Sequence, residues 1–257
     1  MKEKIIKDEK ILFSKYRNVF INDETKSVED WKEYCYLPLD IPRIDRPDIV
    51  EWVYQTRKKS EKINISTLNP ALKEIPFNTV EVYYHGTSAL AKRTSRIRTV
   101  NIRNDFIETF PDFYDQIIEL FPFKSFNYLM FLNSTADVMF HRDQETVFDG
   151  PSQFRIMMHD SNPEPTFGFV NVKPDETPDL TQIHYEVRLP ETNSLVWNNL
   201  RTKHGSYYNP NYKKLILGIL DYELDMPRFH DLMKRSVEKY KEYAMIVSGP
   251  TSDYANT

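Results

Sequence analysis

The sequence predicts a mainly β protein of the sandwich or barrel type, of the jelly-roll kind, with flanking helices and a helical N-terminal part. Three observations predict it. From residue 125 onward, short apolar runs follow one another with turn formers between them. One strongly amphipathic helical stretch stands just before them. The chain has 257 residues, 40% hydrophobic and 28% charged, an ordinary globular composition, and all-β barrels of this length form single domains. The expected organisation is therefore one domain over 1–257. Residues 1–124 are a helical and strand-bearing support and lid, 125–222 the jelly-roll core, and 223–257 a C-terminal helix and tail.

Residues 1–75 are charged, with scattered apolar positions. Ser27 to Asp30, just before Trp31, has the form of a capping box. Pro38, Pro42 and Pro47 punctuate the region after it. Pro47 and Asp48 open a helix, with proline near the first helical position and an acid in the first turn. Lys58, Lys59 and Lys62 suit its negative end and read as a solvated helix terminus. Thr79 to Tyr84 alternates as a strand does. Arg93, Arg96, Arg98 and Arg103 come next, either surface charge on an edge strand or a grip for an anionic substrate. Over 104–121, Phe106, Phe110, Phe113 and Ile117 share one helical face, and Pro111 marks a start or kink. That helix is expected to pack on the outside of a sheet.

The strand candidates are Phe126–Leu132, Asp137–Phe140, Phe154–Met158, Phe167–Val172, Ile183–Leu189, Ser194–Trp197 and Leu215–Leu220. Asp149-Gly150-Pro151, Ser161-Asn162-Pro163, Lys173-Pro174, Leu189-Pro190 and Asn209-Pro210 separate them, all good turn formers. A helix near 227–243 comes after the last of them.

The net charge of −4 gives no support to nucleic-acid binding. A single cysteine, Cys35, excludes an internal disulfide framework and a thiolate zinc cage. The opening MKEKIIKDEK lacks the apolar core of a signal peptide, and no run approaches the ~18 apolar residues of a membrane span. A reducing cytoplasm fits, with no membrane partner expected. The sequence leaves the oligomeric state open.

The stretch that carries chemistry is DVMFHRD, Asp137 to Asp143. On an extended chain, residues two apart point to one side, so His141 and Asp143 can face one metal while Arg142 faces away. A second strand-like run ends in RTKHG and supplies His204. Two imidazoles and one carboxylate are the ligand set of non-haem Fe(II) oxygenases. HRD also occurs in protein kinases, but no Gly-rich loop precedes it here and no Asn stands five residues after Asp143. Arg155 lies on an apolar strand, where burial demands an anionic partner, either a co-substrate or a protein carboxylate. Of Lys213 and Lys214, alternation lets only one face inward. His85, His159, His184 and His230 read as structural. Trp197 reads as core or as pocket wall, and Arg142 and Arg201 as substrate contacts or as partners of nearby acids.

Residues 125–222 resemble the double-stranded β-helix (cupin-like jelly roll) of Fe(II)/2-oxoglutarate-dependent oxygenases. They are most similar to the aspartyl/asparaginyl β-hydroxylase and bacterial amino-acid (proline) hydroxylase branch. The resemblance rests on HRD at His141–Asp143, on FRIMMHD carrying Arg155, on LPETNSLVWNN, and on KHGSYYNPNYKKLILGILD. It implies Fe(II) on His141, Asp143 and His204, with 2-oxoglutarate and O2 as co-substrates. In that branch a basic residue ten positions after the distal histidine holds the 5-carboxylate of 2-oxoglutarate, which here is Lys214, and Arg155 is a second co-substrate residue. Lys214 stands where many relatives have arginine, and Met157 where many have histidine. The implied reaction is hydroxylation of an unactivated C–H with release of succinate and CO2. The implied substrate is a free amino acid or a small molecule derived from one; Arg96, Arg98, Arg142, Arg201 and Trp197 are the candidate contacts for it, the arginines suiting its carboxylate. Three alternatives stand beside it: a hydroxylase of a residue within a protein, a cupin-like metalloenzyme without 2-oxoglutarate, and a non-catalytic binding module.

Overall fold

The short apolar runs pair into two antiparallel sheets. The structure is a computed structural model, and it describes residues 34–59, 77–83, 106, 108–134, 137–141, 152–173, 175, 177–181, 183–198 and 202–246. In chain order the elements are β1 (Tyr34–Pro38), α1 (Pro47–Lys59), β2 (Phe77–Tyr83), α2 (Phe113–Leu120), β3 (Phe123–Ser134), β4 (Val138–His141), β5 (Ser152–Asp160) and β6 (Phe167–Asn171). Then come β7 (His184–Tyr185), β8 (Ser194–Asn198), β9 (Thr202–Ser206), β10 (Lys214–Leu224), α3 (Met226–Tyr240), a 3-10 turn (Lys241–Tyr243) and β11 (Met245–Ile246).

The larger sheet runs β11-β1-β8-β5-β10-β3-β2 and the smaller β4-β9-β6-β7. From β3 to β10 the chain steps back and forth between the two sheets, so that β8-β5-β10-β3 faces β4-β9-β6-β7. Every pairing is antiparallel. This interleaving is the double-stranded β-helix. β1 and β11 extend the larger sheet on one side and β2 on the other.

Alternation along each strand divides the core. Phe154 and Ile156 of β5, with Leu215, Leu217 and Ile219 of β10, form the outer face of the larger sheet. There they meet Phe113 and Ile117 of α2 and Phe229 and Leu232 of α3. Ile216, between two of them on β10, and Leu195 and Trp197 of β8 face the smaller sheet and pack with Tyr36, Phe167 and Phe169. Phe140 and Val170 form a third cluster on the far side of the smaller sheet, under Leu180, Ile183 and Tyr207. The start of α3 is fixed by Asp225, whose side chain accepts from Arg228 N, with Pro227 in the first turn. The Arg228 guanidinium in turn donates to the carbonyls of Ile118 and Glu119 at 2.9 and 2.7 Å, closing the C-terminal end of α2.

The helix expected over 104–121 is divided at Pro111: Phe106 and 108–109 are helical before it, and α2 begins at Phe113. The strand expected over 183–189 is only two residues long. β1 forms among prolines that argue against a strand, yet Tyr36 to Pro38 pair with β8. Of the N-terminal part, α1 buries Ile49 and Val53 in the outer core. Ser27–Asp30, Lys62, His85 and the arginines from Arg93 to Arg103 lie outside the described residues. Among the described residues, no helix is long and apolar enough to cross a membrane.

Candidate metal centre

β4 and β9 are neighbours, and His141 is the cross-strand partner of His204. Their ring centroids stand 4.4 Å apart. This meeting depends on an irregularity. Val138 pairs with Ser206 and His141 with His204, so three steps along β4 match two along β9. On a strictly alternating strand Val138 and His141 would face opposite ways, whereas Ser206 and His204 share a face. A β-bulge reconciles the two, and bulges re-aim side chains in this way beside functional sites. Phe140 turns out into its apolar cluster and His141 turns in.

Gly205 makes the bulge possible. A Cβ there would meet Val138 O at 2.8 Å and Met139 C and Phe140 N at 3.0 Å. These are backbone atoms of the bulge, which have nowhere to give. The glycine in RTKHG is therefore part of the site.

The His141 ring is fixed by its own strand. Nδ1 lies 2.7 Å from Met139 O. A carbonyl can only accept, so Nδ1 carries the proton and the lone pair is on Nε2, the arrangement found in metal-ligating histidines. His204 is buried, against Trp197 at 4.8 Å and Phe167 at 5.6 Å between ring centroids. An imidazole pair oriented across two strands and boxed by aromatic rings suits a divalent transition metal. Asp143, Arg142, Arg201, Arg96 and Arg98 lie outside the described residues. Among the described residues no group of three His, Cys, Asp or Glu side chains is assembled for a metal.

Two cations line the interior. Lys214 points in and is mostly buried, with Nζ 4.9 Å from the centre of the Phe167 ring and 2.7 Å from Thr166 Oγ1. Glu186 Oε1 lies 3.6 Å away. Burial pushes the Lys214 ammonium's pKa down, and Glu186 pulls it back up. Lys213 points out, over Tyr54 at 5.2 Å. Arg155, 2% exposed, lies over the Trp197 ring at 4.8 Å. Its Nη1 donates to Phe154 O at 3.0 Å and its Nη2 to Gln153 Oε1 at 2.6 Å. Gly218 is its partner on β10, and a Cβ there would come within 3.2 Å of the guanidinium. Trp197 and Phe167 are themselves neighbours, 5.5 Å apart between ring centroids, so His204 sits against an aromatic pair, and each ring of the pair carries a cation. Trp197 is buried in the core. His184, read as structural, packs against Tyr36 at 5.0 Å, and burial lowers its pKa.

The fold and the imidazole pair together define a double-stranded β-helix with a candidate metal centre. No protein-family model matches the sequence, and no curated protein matches it. Among solved structures the chain is similar to a Pseudomonas putida prolyl-4-hydroxylase, at 8% identity over 77% of this chain and 98% of that one, with a TM-score of 0.38. It is also similar to IDO from Bacillus thuringiensis, at 12% identity over 78% and 99%, with a TM-score of 0.39. A third is the Fe(II)/α-ketoglutarate-dependent dioxygenase TqaL, at 7% identity over 79% and 88%, with a TM-score of 0.33.

Proposed function

We propose that the protein is an Fe(II)/2-oxoglutarate-dependent dioxygenase that hydroxylates an unactivated C–H of a free amino acid or an amino-acid-derived small molecule. The observation that supports it most is the cross-strand pair His141 and His204, facing the interior of a double-stranded β-helix. Asp143, two residues beyond His141, would complete the ligand set. Lys214, whose ammonium lies over the same Phe167 ring that His204 packs against, would hold the far carboxylate of 2-oxoglutarate, with Thr166 orienting its ammonium. Arg155, held over the Trp197 ring, would serve the other end of the co-substrate.

When bound, iron, 2-oxoglutarate and O2 would supply an oxidant able to take hydrogen from a C–H bond, with succinate and CO2 leaving. The chain's own residues bind, orient and shield. Phe167, Phe169 and Trp197 are buried together and would keep water from the reacting atoms. The carboxylate of a small substrate would be met by Arg142, Arg201, Arg96 or Arg98, since a bidentate arginine is the best fixed partner for one. A reducing cytoplasm suits a ferrous site.

Adding 2-oxoglutarate to the Fe(II)-loaded protein without oxygen should give a weak visible charge-transfer band. Amino acids and their derivatives should then be screened in air for stimulated succinate formation. A band with stimulation by a small molecule is the expected result. Silence across that panel with turnover on a peptide library would move the substrate to a residue within a protein. No band and no succinate would overturn the reading.

A further inference from the structure

The Lys214 end of the interior carries its own counter-charge. Glu186, 4% exposed, lies just past the short strand β7. Its Oε1 accepts from the backbone N–H groups of Thr166 at 3.1 Å and Phe167 at 3.3 Å. These are the two residues whose side chains touch Lys214. The same oxygen is 3.6 Å from Lys214 Nζ and 3.9 Å from Arg188 Nη2. Arg188 is also bound to Asp160 Oδ2 at 2.9 Å. Two cations face two carboxylates, so the cluster is neutral before any ligand arrives. Glu186 cannot swing aside without leaving two buried backbone donors unmet, which is costly.

We infer that Glu186 determines how strongly the site distinguishes a 2-oxo acid with a far carboxylate from one without. The inference rests on the proposed function. A carboxylate arriving at Lys214 enters beside Glu186 and shares one ammonium with it, and like charges at such range oppose each other. Its far carboxylate therefore adds little affinity in the native protein and much more once residue 186 is uncharged. Glu186 also favours the charged form of Lys214, but a bound carboxylate does the same, so the ammonium is kept in the complex. Glu186→Gln retains an oxygen for Thr166 N and Phe167 N.

Calorimetry under nitrogen on the Mn(II)-loaded protein, with 2-oxoglutarate and with 2-oxopentanoate, tests this. The second acid has the same five-carbon chain without the far carboxylate, so the ratio of the two affinities reads that group alone. The native ratio should be about tenfold or less, and Glu186→Gln should raise it about tenfold further through tighter 2-oxoglutarate binding. Lys214→Met should bring it close to one. A ratio unchanged or lowered in Glu186→Gln overturns the inference. So does a native ratio above roughly a thousandfold, which needs no variant. If Lys214→Met leaves the ratio intact, the anchor is another residue and the inference falls while the oxygenase reading stands. If the native protein binds neither acid, the oxygenase reading falls and takes the inference with it.

Discussion

The two faces of the larger sheet are built from alternate residues of the same strands, and they differ in kind. On the outer face β5 presents Phe154, Ile156 and Met158 and β10 presents Leu215, Leu217 and Ile219, all buried and all apolar. On the inner face the same two strands present Arg155, Met157, Lys214, Ile216 and Gly218, a set with two cations and a glycine that leaves room for one of them. The outer face has the composition of a core whose only task is burial. The inner face gives up apolar area for charged groups that cost stability unless partnered. One strand can thus hold the fold together and furnish a site, with stability and function separated at every second residue.

The largest effect should come from the outer face. Phe154 is buried among Phe123, Tyr222 and Phe229, and Phe154→Ala should cost about 3–5 kcal/mol. Denaturant unfolding would read this. The folded fraction should keep its metal affinity, and loss of metal binding in step with stability would blur the two faces. On the inner face, Lys214→Ala should weaken 2-oxoglutarate by up to about tenfold, less than loss of an unopposed charge-assisted contact would, because Glu186 shares the ammonium. Lys213→Ala should leave it unchanged, and a larger effect from Lys213 would reverse the inward assignment.

The small sheet offers a finer contrast between two glycines. Gly205→Ala presses on the backbone of the β4 bulge. It should cost about 1–3 kcal/mol and lower metal affinity by displacing His141. Gly168→Ala meets only the side chains of Ile183 and Phe140, at 3.3–3.4 Å. It should leave metal affinity alone, as a paired equilibrium dialysis would show. The smallest effect lies far from both faces, at Asp40. The hydrogen bond from Lys239 is the largest cause holding the Asp40 carboxyl below its usual range, and Arg235 adds to it. A carboxyl depressed in the folded state binds protons more readily once unfolded. Its contribution is therefore complete above about pH 4, the unfolded value, and is lost as pH falls through the lower folded value. Asp40→Asn should cost about 0.2–1 kcal/mol, visible in thermal unfolding at pH 7 and shrinking in acid.

Much of this architecture is legible in the sequence because alternation is written in the strands themselves. Phe154–Met158 and Leu215–Leu220 read directly as half-buried strands, and HRD with a distal histidine points to His141 and His204. The features that are not legible depend on neighbours. Gly205 looks like any glycine after a histidine until the β4 backbone is seen against it. Lys213 and Lys214 are equivalent in sequence, and only the register of β10 against β5 separates them. Glu186 sits inside a run that reads as a strand, where an acid at an alternate position looks solvated. The strand ends at Tyr185, and the carboxylate turns in to meet Thr166 and Phe167. β1 is hidden because prolines argue against a strand, although Pro38 falls at its end, where proline is tolerated.

Everything proposed for the interior depends on His141 and His204 sharing one metal ion. Fe(II) binding under nitrogen should be measured for the native protein and for His141→Ala, His204→Ala and Asp143→Ala, each checked for native unfolding behaviour. The expected result is one ion per native chain and no binding by the three variants at the same concentrations, with the fold retained because apolar strands and helices carry it. Full Fe(II) binding by either histidine variant would contradict a shared ion and the oxygenase reading with it.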